Sequence, residues 1–173
     1  MVDVEKEIKK KFPKVDLESS FINKSLIKIA KKVVHEESIN DFLKNNAHKK
    51  GFEFVDAVLD NFDFDYTVSS NDMQNIPSSG KVVIIANHPL GGLDALCLLK
   101  LVGKVRKDVK IVANDFLAGI DALNSLFVPI DNYKQRQSKK DIKAIYEALN
   151  QDQAIIIFPA GEVSRATPKG IKD

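Results

Sequence analysis

Residues Lys81–Val102 read KVVIIANHPLGGLDALCLLKLV, and the way this stretch divides decides the fold. Val82, Val83, Ile84 and Ile85 form a short run of the kind that fills a buried strand, and Leu93–Val102 carries apolar residues at helical spacing. Between them Gly91 and Gly92 permit a tight reversal. Three further runs rich in Val and Ile follow, at Val109–Ala113, Phe127–Ile130 and Ala154–Phe158, each bounded by Gly, Pro, Asn or Asp. A short helix separates the second run from the third, and a clear helical pattern over Lys139–Asn150 precedes the fourth. The resulting alternation predicts an α/β fold in which a largely parallel sheet is flanked by helices.

Upstream the pattern changes. From Ser20 to Phe62 apolar residues recur at helical spacing (Ile22, Leu26, Ile29, Val33, then Phe54, Val55, Val58, Leu59), with a break over Asn45–Gly51. Two or three helices are expected there. The expected organisation is an N-terminal helical region, residues 1–65, packing on the same domain as an α/β core over residues 66–173.

Composition narrows the function classes. Hydrophobic residues make up 44% of the chain and charged residues 29%, the balance of an ordinary globular protein. The net charge of +2 argues against a nucleic-acid partner, so any anion site must come from local clusters of Lys and Arg. Cys97 is the single cysteine, which rules out an internal disulfide and any multi-cysteine metal site. The opening residues, MVDVEKEIKKKFPKVD, lack the apolar segment of a signal peptide, and no stretch approaches the roughly 20 apolar residues of a membrane span.

In parallel sheets ligands gather beyond the carboxyl ends of the strands. His88 follows the first strand there, with Asp94 in the first turn of the helix behind it. Histidine suits a general base because its ordinary pKa lies near neutrality, and a carboxylate on its second nitrogen stabilises the imidazolium formed in reaction. A turn histidine beside a helix-starting aspartate is the alternative reading of the same two residues. At the fourth strand end stands FPAGEVSR, Phe158–Arg165, where Pro159 and Gly161 lie beside Glu162 and Arg165, a set suited to a polar head group. After the third, FVPIDNYKQRQSKK brings Lys134, Arg136, Lys139 and Lys140 behind Asp131, cations of the type that pair with phosphate. A solvated charged face is the alternative there.

Taken together, the NHPLGGLD of Asn87–Asp94, the PID of Pro129–Asp131 and the FPAGEVSR of Phe158–Arg165 resemble the glycerolipid acyltransferase superfamily typified by 1-acylglycerol-3-phosphate O-acyltransferase, and its hemolysin-like branch in particular. The resemblance covers about Tyr66 to Asp173, and less specifically the helical region before it. It implies a membrane-associated enzyme of phospholipid biosynthesis that transfers a fatty acyl group from acyl-CoA or acyl carrier protein to the hydroxyl of a lysolipid. His88 would be the base and Asp94 its partner. Asn87, Pro159, Gly161, Glu162 and Arg165 would shape the acceptor site, with Lys134 and Arg136 toward phosphate. No metal or resident cofactor is implied, and the enzyme would act from the cytoplasm, peripherally on that face of the membrane. Ile22, Leu26, Ile29 and Val33 on one helix face, opposite Lys24, Lys28, Lys31 and Lys32, suit either an anionic bilayer surface or core packing.

The sequence also departs from the family pattern. Five residues, Pro89–Leu93, separate His88 from Asp94 where four are usual, so the Gly-Gly turn must absorb one. The usual FIDR is Ile130, Asp131, Asn132 here, and the usual Glu of FPEGTRS is Ala160. Those positions commonly handle glycerol phosphate, which brings in a lyso-ornithine or lyso-glycine lipid as an alternative acceptor. A non-catalytic lipid-binding or membrane-active module is the alternative from another class. Cys97, in an apolar helical run, is expected to be a buried, inert thiol, and His35 and His48 to be surface residues. Family members continue beyond the position of Asp173, so the chain is expected to be truncated at its C-terminus.

Overall fold

The computed structural model describes residues 3–11, 35–114, 120–130, 139–160, 165–167 and 170–172. Met1–His48 and Lys49–Asp173 form two compact units. The first contains α1 (Val4–Lys11) and α2 (Glu36–Asn45). The Val4 N–H donates to Glu36 Oε2 at 3.2 Å, and Glu36 and Glu37 sit in the first turn of α2, where the helix dipole favours acid. His35 and His48 are both exposed. The expected membrane-facing helix around Ile22–Val33 lies outside the described residues.

The second unit is built on four parallel strands, β1 (Val82–Ile85), β2 (Val109–Asn114), β3 (Phe127–Ile130) and β4 (Ala154–Ile157), in the order β1-β4-β2-β3. Before β1 come α3 (Phe52–Asn61) and the short α4 (Ser70–Gln74); α5 (Gly92–Val105) joins β1 to β2, a 3₁₀ turn (Asp121–Leu126) precedes β3, and α6 (Lys139–Asn150) leads to β4. A two-stranded antiparallel pair, β5 (Arg165–Thr167) and β6 (Gly170–Lys172), follows. The four strand runs and both long crossover helices therefore form where the sequence pattern puts them.

The strand order explains which face each helix covers. The chain crosses from β1 over the place of β4 to β2, then returns from β3 to β4, so the two crossovers run in opposite directions along the sheet. Right-handed crossovers then lie on opposite faces. α6 packs Ala144, Ile145, Ala148 and Leu149 on Val128 and Ile155, with Val112 and Ile157 beside them. α5 buries Ala95, Leu96, Leu99, Val102 and Gly103 and meets α3, which buries Phe54, Val55, Ala57 and Leu59. The two helices approach closely at Gly103, where a Cβ would stand 2.3 Å from the Phe52 ring.

One expectation needs correcting. VVII at β1 and AIII at β4 read alike as buried strands, yet Ala154, Ile155 and Ile156 are fully buried while Val83 is 44% and Ile85 68% exposed. β4 lies between β1 and β2, covered on both faces, whereas β1 is at the sheet's edge among the described residues. Complete burial of such a side chain stabilises by about 1.5 to 3 kcal/mol, so the edge strand β1 contributes less to the sheet's hydrophobic stabilisation than the buried β4.

Candidate active site

The parallel ladder between β1 and β4 pairs Ile85 with Ile157. The pairing runs one step further, as the Ala86 N–H donates to the Ile157 carbonyl at 3.3 Å. Two loops therefore leave the sheet side by side, Ala86–Gly91 from β1 and Phe158–Ala160 from β4. This is the carboxyl end of the sheet, where the sequence pattern puts ligands.

Gly91 turns the first loop into α5. Its φ of 71° and ψ of −129° lie where a side chain is strained, and its carbonyl accepts the Asp94 N–H at 3.1 Å. Gly92 begins the helix at ordinary angles with open space around the position of a Cβ. Of the two glycines in the turn, Gly91 is therefore the one whose backbone conformation calls for glycine.

The turn brings the two side chains together. Asp94 Oδ2 accepts the Leu90 backbone N–H at 2.6 Å, which closes the loop, and stands 3.5 Å from His88 Nδ1. Both side chains are largely buried, His88 at 16% and Asp94 at 18% exposed. Nδ1 itself is buried without a hydrogen-bond partner. The Phe158 ring stacks on the imidazole with centroids 4.0 Å apart and an interplanar angle of 16°. The aspartate therefore lies in the first turn of the helix and stands beside the histidine.

Asn87, Pro159 and Ala160 are exposed around this pair. Arg165 is described only as backbone, paired with Lys172 in the β5–β6 hairpin. Gly161, Glu162, Lys134, Arg136 and Asp131 lie outside the described residues. Cys97, one turn beyond Asp94, is half-buried rather than buried. Burial pushes its thiol pKa up, and the neighbouring Asp94 and Asp65 carboxylates push it further, which disfavours the nucleophilic thiolate. Among the described residues no group of three or more His, Cys, Asp or Glu side chains could hold a metal ion, and no helix is long and apolar enough to cross a membrane.

Sequence reasoning missed Phe158 as a partner of His88 and the Leu90 N–H as a partner of Asp94. The first follows only from β4 pairing with β1, which no local pattern encodes. The second follows from the turn geometry at Gly91.

Comparison with known proteins bears on the same residues. A family model described as "Acyltransferase" matches residues 14–173. The chain belongs to the acyltransferase family. Among its relatives are the lyso-glycine lipid O-acyltransferases of Phocaeicola vulgatus and Bacteroides thetaiotaomicron, each 33% identical to it over 174 aligned residues. The alignments cover 100% of this chain and 60% and 62% of those two relatives, so the chain spans about three fifths of their length. No solved structure matches the chain. Family membership agrees with the resemblance carried by Asn87–Asp94 and Phe158–Arg165.

Proposed function

We propose that this protein is an O-acyltransferase that moves a fatty acyl group from an acyl thioester to the hydroxyl of a lysolipid, with His88 as general base. The observation that carries the reading is the His88–Asp94 pair at the carboxyl end of β1, held by the Leu90 N–H. In the step proposed, the acceptor hydroxyl oxygen attacks the thioester carbonyl carbon as His88 Nε2 takes the hydroxyl proton. The tetrahedral intermediate collapses with cleavage of the C–S bond, and the proton passes from the imidazolium to the departing thiolate. Asp94 faces the other nitrogen. Its 3.5 Å separation from Nδ1 exceeds a hydrogen bond, as catalytic contacts often do before substrate binds, and the positive charge formed on the ring draws the pair together.

A lyso-amino-acid lipid, lyso-glycine lipid first, is the acceptor favoured here over lysophosphatidic acid. Two observations support that order: the relatives are named for lyso-glycine lipid, and the family's glycerol-phosphate positions are Asn132 and Ala160 in this sequence. The donor is read as acyl-CoA or acyl carrier protein, without a resident cofactor. The enzyme would work peripherally at the cytoplasmic membrane surface, because its acceptor resides in a bilayer. Flotation with anionic liposomes tests that part; recovery of protein only in the unbound fraction at low salt removes it.

The test of function is lipid mass spectrometry of the full-length protein incubated with a long-chain acyl-CoA or acyl carrier protein and a lysolipid panel. Acylation of lyso-glycine lipid ahead of lyso-ornithine lipid and lysophosphatidic acid is expected. Preference for lysophosphatidic acid would reverse the acceptor order, and lipid binding without turnover of any acceptor would leave a binding module in place of an enzyme.

A further inference from the structure

Among the described residues, Asp94 stands at His88 Nδ1 and Phe158 covers one face of the imidazole ring. The contact with Asp94 alone does not fix the ring. Nδ1 makes no hydrogen bond, and a side chain touched at one nitrogen across 3.5 Å retains freedom to rotate about its Cβ–Cγ bond, a broad torsion in histidine. The stack removes that freedom, because a ring lying 4.0 Å from its neighbour at 16° collides with it on turning.

We infer that Phe158 is a positioning residue for the base: it sets the plane of the His88 imidazole so that Nε2 meets the acceptor hydroxyl, and its ring face stabilises the imidazolium that proton transfer creates. The inference rests on His88 acting as base. Its support comes from three places in the structure. Phe158 follows directly on β4, whose Ala154, Ile155 and Ile156 are fully buried, so the ring extends from a strand anchored in the core. The bond from the Ala86 N–H to the Ile157 carbonyl ties the starts of both loops together, which fixes the separation across which the rings meet. The π-face of an aromatic ring is electronegative and attracts a cation lying over it. The imidazole is uncharged before reaction and cationic after proton transfer, so this attraction grows along the reaction coordinate and favours the transition state.

The test compares wild type, Phe158→Leu, Phe158→Tyr and His88→Ala in the full-length protein, with a long-chain acyl-CoA and lyso-glycine lipid or whichever lysolipid the panel selects. Phe158→Leu should lower kcat about 10-fold while KM stays within about twofold, since a misaligned base slows chemistry without weakening binding. Phe158→Tyr, which restores an aromatic face, should recover kcat to within about threefold of wild type. Proton NMR of the His88 ring gives a readout independent of turnover: its carbon-bound protons should be shifted upfield by the stacked ring in wild type and Phe158→Tyr, and released in Phe158→Leu.

Wild-type kcat in Phe158→Leu overturns the inference, and so does an equal loss in the Leu and Tyr variants. A raised KM at unchanged kcat overturns it in favour of a role in acceptor binding. If Phe158→Leu does not fold, the absence of the upfield shift in wild type is the overturning result. Full activity in His88→Ala would instead remove the base reading itself, a failure distinct from any result at position 158.

Discussion

The two ends of the sheet are finished in opposite ways. At the amino end the Arg106 side chain, 2% exposed, ties together the approaches to three strands. It pairs with both Asp108 oxygens at 2.7 and 2.8 Å and donates to the carbonyls of Gly80 at 2.8 Å, Pro77 at 3.2 Å and Asp152 at 2.6 Å. Gly80 precedes β1, Asp108 precedes β2 and Asp152 precedes β4. Asp152 is held at a φ of 58°, a conformation costly for an L-residue, and its carbonyl meets the guanidinium there. At the carboxyl end, His88 has a buried Nδ1 without a hydrogen bond and a ring stacked on Phe158. A saturated ionic node suits a structural joint, whereas an under-satisfied imidazole in a partly buried loop suits a group that must change its charge in use.

Substitutions at the two ends should separate stability from activity. The largest effect on stability is expected from Arg106→Met. Removing the guanidinium leaves Asp108 and the carbonyls of Gly80 and Asp152 without it, which should cost about 1 to 3 kcal/mol in denaturant unfolding, with kcat per folded molecule close to wild type. Lost turnover in a fully folded Arg106→Met protein would break the comparison. Asp94→Asn should do the reverse. Its amide oxygen still accepts the Leu90 N–H, so stability should hold to within about 1 kcal/mol, while turnover falls about 100-fold, near 2.7 kcal/mol of barrier. Unchanged turnover would reduce Asp94 to a loop-closing residue.

The turn between these regions gives a smaller, paired effect. Gly91→Ala should destabilise by about 1 to 2 kcal/mol because φ there is 71°. Gly92→Ala should be neutral or stabilise by up to about 1 kcal/mol, since the position is helical and open. Equal effects at the two glycines would contradict the geometry described at Gly91.

The smallest expected effect is pH-linked. The hydrogen bond from Arg106 holds the Asp108 carboxyl below the usual carboxylate range. A lowered folded-state pKa means the stabilisation is present above the unfolded value, about pH 4, and is lost as pH falls through the folded one. Asp108→Asn should therefore flatten part of the loss of stability below about pH 4. The change should be modest, as the Asp108 side chain is 44% exposed. An acid profile identical to wild type would remove Asp108 from the linkage.

These contrasts also mark what was legible in the sequence. The four strand runs, the α6 pattern and the His88–Asp94 turn were readable because each is local: β-branched residues between turn formers, a 3.6-residue period, a glycine before a helix. Strand order was not, which is why VVII and AIII looked equivalent although one is an edge and the other the centre. The same gap hid Phe158, whose contact with His88 depends on β4 lying beside β1. Nothing local marks Arg106, since its partners Gly80 and Asp152 are 26 and 46 positions away. The cationic loop of Lys134 and Arg136 and the segment of Gly161 and Glu162 lie outside the described residues, so their expected roles at the acceptor stay with the resemblance that suggested them.

His88 is proposed as the base of an acyl transfer, and the most direct test is turnover of His88→Ala beside its thermal stability, with lyso-glycine lipid and a long-chain acyl thioester. The expected result is a fall of about 100-fold or more in kcat, with a melting temperature within a few degrees of wild type. A folded His88→Ala protein that transfers acyl groups at the wild-type rate would contradict it, and the loop from Ala86 to Gly91 would then be only the turn between a strand and a helix.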